Sequence, residues 1–126
     1  MKAAIVILSD PKSGSEESLG RLFNALAAAY DFKNRGEEVT IQFQGAGTRW
    51  ISALSDTKHP AFGLYDSVKD KVVGVSCGCS DVFGAREDVE KAGAKLLTEN
   101  AVPGTSGLPS LARLSSEGYK IGRAHV

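Results

Sequence analysis

The amino-acid sequence predicts an α/β protein, a three-layer α/β/α sandwich built around a mostly parallel sheet of about five strands. Short apolar runs alternate along the chain with longer segments whose apolar residues recur every three or four positions. Such an alternation requires crossover connections between parallel strands, and helices then cover both faces of the sheet. A length of 126 residues suits one domain of this kind, covering residues 1–126.

The first half of the chain is predicted to hold two strands and a long helix. In chain order the predicted elements are a strand at 3–8, an amphipathic helix that stops at Gly36, a strand at 39–43, a glycine turn at 45–47, a short helix at 50–54 and a loop at 56–63. Serines and glutamates at 13–17 supply the cap and the early acids of the long helix. Its apolar face consists of Leu19, Leu22, Phe23, Leu26 and Tyr30.

The second half repeats the strand and helix alternation with weaker signals. In chain order the predicted elements are one or two helical turns at 64–71, strands at 72–76 and 94–97, a helix at 80–93 between them, a polar loop at 98–107, a helix at 109–117 and a strand at 119–122. Gly84 lies inside the helix predicted at 80–93, where glycine costs about 1 kcal/mol relative to alanine. Pro109 suits the first turn of the last helix and Gly118 its end.

Composition and charge exclude several classes of function. Hydrophobic residues make up 42% of the chain and charged residues 24%, values typical of a globular protein. The formal net charge is zero, so the chain lacks the basic excess that binds nucleic acid. The apolar run at 3–8 is too short for a signal peptide or a membrane span. We therefore expect a cytosolic protein with reduced thiols and no membrane partner.

Two cysteines lie two positions apart where the third predicted strand meets the next helix. In a parallel sheet, sites gather at this carboxyl edge of the strands. Cys77 and Cys79 could be buried packing residues, a reducible disulfide pair or part of a metal site. Zinc would need two further ligands, and only the distant His59 and His125 are histidines, so no metal or other cofactor is predicted.

The fourth interpretation of the cysteines is a nucleophile. A thiolate is stabilised at the start of a helix by unpaired N–H groups, and the thiolate is the reactive form of cysteine. Ser76, Ser80 and Asp81 surround the pair with hydrogen-bonding groups and caps, and Gly78 would allow a donor molecule to approach closely.

Several short motifs resemble the DsrE/DsrF-like family, also called YchN-like. They are VVGV followed by Cys77-Gly78, Gly84 seven residues after Cys77, and the segments QGAGTRW, HPAFGLYDSVKDKVVGV and SGLPSLARLSSEGYKI. The resemblance implies an α/β/α domain that assembles as trimers or hexamers and, in sulfur-relay members, a cysteine that carries sulfur as a persulfide. Cys77 matches that cysteine best, and Cys79 departs from the pattern.

The glycine turn after the second strand is a weaker candidate site. Gly45-Ala-Gly47 lacks the third glycine of a dinucleotide-binding fingerprint, and a tight turn explains it better. Thr48 and Arg49 could still hold an anion or a partner's carboxylate at a helix start. Trp50 is expected in the core or at a subunit contact.

The sequence therefore predicts a cytosolic, homo-oligomeric sulfur carrier that exchanges a sulfane sulfur with donor and acceptor proteins through Cys77 or Cys79. Two alternatives remain open at this stage. One is a regulatory module of the same fold that binds a small ligand or a protein at the sheet edge. The other is a thiol–disulfide switch between Cys77 and Cys79.

Overall fold

A computed structural model describes residues 1–122 of the protein. It contains a five-stranded, all-parallel sheet in the order β4-β3-β2-β1-β5. The strands are β1 (Lys2–Ile7), β2 (Glu38–Phe43), β3 (Val72–Ser76), β4 (Leu96–Leu97) and β5 (Tyr119–Gly122). The α-helices are α1 (Glu16–Asn34), α2 (Trp50–Ala53), α3 (Phe62–Val68), α4 (Cys77–Val82), α5 (Arg86–Lys91) and α6 (Leu111–Ser116). The predicted fold class is confirmed.

The strand order explains how the helices are distributed. From β1 to β4 each strand is added on the same side of the previous one, and right-handed crossovers then place α1 to α5 on one face of the sheet. The chain returns across the sheet from β4 to β5, so α6 lies on the opposite face. We call the face covered by α1 the first face and the face that carries α6 the second face.

The main hydrophobic core lies between the first face and α1. Alternate residues of β1 and β2 point into it, in keeping with the two-residue period of a strand, and they meet the apolar side of α1. These core residues are Ala3, Ile5, Ile7, Val39, Ile41 and Phe43 from the strands and Leu22, Ala25, Leu26 and Ala29 from α1. The periodic face predicted for the long helix is confirmed at Leu22 and Leu26, whereas Phe23 and Tyr30 are exposed.

The helix predicted at 80–93 is two helices, because Gly84 adopts the left-handed conformation that ends the first of them. Gly84 has φ +69° and follows the C-cap of α4, and the Ala85 N–H donates to the Ser80 carbonyl at 2.8 Å, which closes a Schellman motif. The first of the two helices also begins earlier than predicted, at Cys77. Val82, near the end of the first helix, is 72% exposed.

Other boundaries differ by a few residues. The strand predicted at 3–8 ends at Ile7, and the strand predicted at 94–97 contains only Leu96–Leu97. The loop predicted at 56–63 ends where α3 begins, at Phe62. The last helix starts after its cap residue Ser110, so Pro109 precedes the helix instead of opening it. No helix among residues 1–122 has both the length and the apolar character needed to cross a bilayer.

Replacement of Gly47 by alanine tests how tightly the sheet edge is packed. An added Cβ would lie 2.3 Å from the carbonyl oxygen of Ile7, which is backbone and has no room to move aside. We expect Gly47→Ala to lower the free energy of unfolding by roughly 3 kcal/mol, the upper end for overpacking, measured by urea denaturation.

The matched control is Gly20→Ala in α1. A Cβ at Gly20 meets nothing within 4 Å, and alanine favours a helix by about 1 kcal/mol relative to glycine. This variant should be as stable as the parent or more stable. Equal unfolding midpoints for Gly47→Ala and the parent would contradict the close backbone approach.

Candidate functional site

The two cysteines occupy the first turn of α4, directly after the carboxyl end of β3. Ser76 ends the strand and caps the helix, since its Oγ accepts a hydrogen bond from the Cys79 N–H at 3.2 Å. The Ser80 Oγ donates to the Ser76 carbonyl at 2.7 Å. Both serines are fully buried and shape the helix start. Their role as pocket residues stays a prediction.

The two thiols differ in exposure. Cys77 is only 2% exposed, whereas Cys79 is partly exposed, and both are unpaired thiols. Residues two apart in a helix point about 200° away from each other. A Cys77–Cys79 disulfide, which needs its two Cβ atoms about 3.5–4.5 Å apart, would therefore require the first turn of α4 to unwind.

A loop at residues 105–108, here called the 105–108 loop, lies over the start of α4. The Gly78 N–H donates to the Gly107 carbonyl at 2.7 Å, and a Cβ on Gly78 would lie 2.9 Å from the Cδ1 of Leu108. The space above Gly78 is thus filled by the chain itself, not left open for a donor molecule. Because the Gly78 and Cys79 N–H groups both have protein partners, fewer free donors remain at this helix start than the sequence suggested.

An ionic cluster closes the same side of α4. Asp81 lies one turn after Cys77 and therefore on the same helix face. Its carboxylate accepts hydrogen bonds from the Ser106 Oγ at 2.5 Å and from the Arg86 Nη1 at 3.0 and 3.2 Å. These two partners, Ser106 first, hold the pKa of Asp81 below its ordinary value. The Ser106 contact anchors the 105–108 loop to α4 wherever Asp81 is ionised.

Arg86 interacts electrostatically with the buried thiol. The Asp81 hydrogen bond and then the charge of the Cys77 thiolate raise the pKa of Arg86 above its ordinary value. Sequence reasoning missed this residue, since nothing in the spacing links it to Cys77. Asp81 was recognisable from the helical period, but Ser106 comes from a polar loop without a pattern.

The Thr48 and Arg49 side chains both have hydrogen-bond partners within the chain. Thr48 is fully buried, and its Oγ1 donates to the Gly45 carbonyl at 2.9 Å, which stabilises the glycine turn. The Arg49 guanidinium binds the Asp10 carboxylate at 3.0 Å and donates to the Phe83 carbonyl at 3.1 Å. The expected carboxylate is thus supplied by the chain itself, and Arg49 ties the segment after β1 to the end of α4.

The aromatic and histidine candidates have structural partners. Trp50 is a core residue, and its Nε1 donates to the Ser9 carbonyl at 2.8 Å. The His59 ring packs edge-on against the Trp50 ring, with 5.9 Å between the ring centroids. The His59 Nδ1 accepts a hydrogen bond from the Ala61 N–H. His125 lies outside the described residues. Within residues 1–122, no three His, Cys, Asp or Glu side chains cluster as metal ligands would.

Comparison with known proteins agrees with this architecture. The sequence profile of the DsrE/DsrF-like family matches residues 1–121. The chain belongs to the DsrE/DsrF-like family. It is also 29% identical over 121 residues to an uncharacterized protein of Methanocaldococcus jannaschii, MJ0733, covering 96% of this chain and 93% of that relative. No solved structure matches the chain. DsrE-like proteins are associated with sulfur relay, which directs attention to the two thiols.

Removal of the Ser106 hydroxyl should expose Cys77. Ser106→Ala deletes one hydrogen bond that anchors the 105–108 loop, so we expect the loop to open more often. The rate of Cys77 alkylation by iodoacetamide should rise roughly fivefold, the change expected for loss of one hydrogen bond. The rate is measured by mass spectrometry in a Cys79→Ser background, where Cys77 is the one thiol.

Two controls separate loop opening from general loosening. Ser116→Ala removes an exposed serine hydroxyl that bonds the Arg113 carbonyl in α6, and it should leave the rate unchanged. Cys79, measured in a Cys77→Ser background, should react at the same rate with and without Ser106. An unchanged Cys77 rate in Ser106→Ala would refute the role of this contact.

Proposed function

We propose that this protein carries sulfane sulfur as a persulfide on Cys77. The observation that carries the proposal is a pair of free thiols in the first turn of a helix at the carboxyl edge of a DsrE/DsrF-like sheet. The association of the family with sulfur relay supports it. The proposal includes cytosolic location, a homo-oligomeric assembly and exchange with donor and acceptor proteins.

The transfer step balances without an added oxidant. The Cys77 thiolate attacks the outer sulfur of a donor persulfide, a new S–S bond forms, and the donor leaves as a thiolate. The bound persulfide loses its proton to solvent and is anionic. An acceptor thiolate then attacks the outer sulfur and releases Cys77 as a thiolate. Arg86 is the cation whose charge interacts with the Cys77 sulfur.

The burial of Cys77 gives the 105–108 loop a part in this cycle. A thiol that is 2% exposed does not meet a protein donor until part of its cover moves, and the 105–108 loop, which contacts Gly78 and Asp81, is the segment we propose to move. A persulfide formed there is sheltered from other thiols once the loop closes again. Cys79 is the more accessible thiol in the closed arrangement and is the alternative position for the sulfur.

Intact-mass spectrometry after incubation with glutathione persulfide tests the proposal. The parent protein and Cys79→Ser should each gain the mass of one sulfur atom, and Cys77→Ser should not. The added sulfur should be removed by a thiol reductant.

The serine variants also separate the two thiols. A gain retained by Cys77→Ser and lost by Cys79→Ser would overturn the assignment to Cys77 and place the carrier at Cys79. No gain on either thiol in the folded parent protein would overturn the proposed function as a whole. Folding of each variant is checked by its circular dichroism spectrum and urea midpoint.

A further inference from the structure

The second face of the sheet carries polar residues on its middle strand. β2 is the central strand of five, and inner strands of parallel sheets are normally apolar on both faces. Thr40 and Gln42 alternate with the core residues of β2 and therefore point to the second face. Gln42 is 2% exposed, so an amide is buried in the middle of the sheet. This position is costly for a polar side chain that has no partner.

Both polar side chains have unused hydrogen-bonding groups. The Thr40 Oγ1 is buried and has no hydrogen-bond partner within residues 1–122. The Gln42 Nε2 donates one hydrogen to the Gln44 Oε1 at 2.8 Å, and within the same residues its second N–H has no partner. A buried hydroxyl without a partner destabilises a fold. The Thr40 hydroxyl is therefore available to a ligand that binds in front of β2.

A cavity of about 400 Å³ lies in front of these two residues. Thr40 and Gln42 line it together with the apolar side chains of Leu97 from β4 and Leu114 from α6. This volume is typical of sites for small molecules, which combine apolar walls with a few polar groups. Neither cysteine lines the cavity, so it is separate from the thiol site.

The charges around the cavity indicate the kind of ligand. Arg113 is neutralised by ion pairs with Glu99 and Glu117. Lys95 also lines the cavity, and within the described chain its ammonium has no carboxylate partner. Three unused donors therefore line one cavity: the Thr40 hydroxyl, the Gln42 N–H and the Lys95 ammonium. Donors of this kind, one of them charged, bind carboxylates.

We infer that this cavity is a binding site for a small carboxylic acid with an apolar body. The carboxylate accepts hydrogen bonds from Lys95, Thr40 and Gln42, and the apolar body packs against Leu97 and Leu114. The four charged residues of the walls, Lys95, Arg113, Glu99 and Glu117, sum to zero, which suits a single negative charge better than a phosphate dianion. The inference does not depend on sulfur transfer.

Benzoate is a suitable probe, and calorimetric titration measures its affinity for the full chain. We expect the parent protein to bind benzoate and to bind the neutral analogue benzyl alcohol more weakly. Lys95→Met should weaken benzoate binding about tenfold or more, as expected for loss of a charge-assisted hydrogen bond. The matched control is Lys120→Met, which removes an exposed lysine of β5 that is not part of the cavity and should leave the affinity unchanged.

Thr40→Val distinguishes a binding role from a structural one. Valine has nearly the same shape but no hydroxyl, so the variant should bind benzoate more weakly and yet unfold at a higher urea concentration. A double Cys77→Ser, Cys79→Ser variant should keep full benzoate affinity even if sulfur transfer is lost. No binding by the parent, equal binding by Lys95→Met, or a second copy of the chain covering this face would overturn the inference.

Discussion

Direct packing of backbone against backbone at the carboxyl edge of the sheet is the constraint on which the rest of the structure depends. A Cβ at Gly47 would lie 2.3 Å from a carbonyl oxygen at the end of β1, and one at Gly107 would lie 2.6 Å from a carbonyl oxygen after β4. Gly78 is covered by the 105–108 loop, where the Leu108 side chain is nearest at 2.9 Å and the Gly107 carbonyl oxygen lies at 3.1 Å. Because no larger residue fits at Gly47 or Gly107 without movement of the backbone, the glycine turn and the 105–108 loop are fixed against the strand ends, and the thiols lie next to them.

The same packing changes which groups act on the buried sulfur. The N–H groups of Gly78 and Cys79 are engaged by Gly107 and Ser76, so backbone polarity at the start of α4 is largely used within the chain. Positive charge comes instead from a side chain of α5, Arg86. Arg86 is also paired with the Asp81 carboxylate, which lies on the same face of α4 as Cys77. This negative charge offsets part of the positive charge of Arg86. An exposed pair of this kind is screened by salt, so the attraction between Arg86 and Asp81 weakens as ionic strength rises.

The sequence was sufficient for the order of the elements and for the placement of the cysteines at a strand–helix junction. Strands β3 and β5 have the predicted bounds because each apolar run is closed by a polar residue or a glycine. Gly84 was a signal that the predicted helix could break there. From the sequence alone, a glycine that ends a helix looks the same as one tolerated inside a helix. The side-chain partners at the candidate site depend on tertiary contacts, which the sequence pattern does not show. Nothing in the local pattern indicates that Arg49 meets Asp10 across 39 positions, or that Ser106 meets a carboxylate 25 positions earlier.

The topology also explains why a cavity exists on the second face. Five strands about 4.8 Å apart form a sheet roughly 19 Å wide, whereas a single helix with its side chains is about 10–12 Å across. Right-handed crossovers place α1 to α5 on the first face, so α6, packed on β5, is left to cover the second face and reaches only part of it. The uncovered part falls in front of β2, β3 and β4. An apolar surface there would be unfavourable in water, and Thr40 and Gln42 make this surface polar. Their buried polar groups in turn need hydrogen-bond partners, which the Thr40 hydroxyl lacks within residues 1–122.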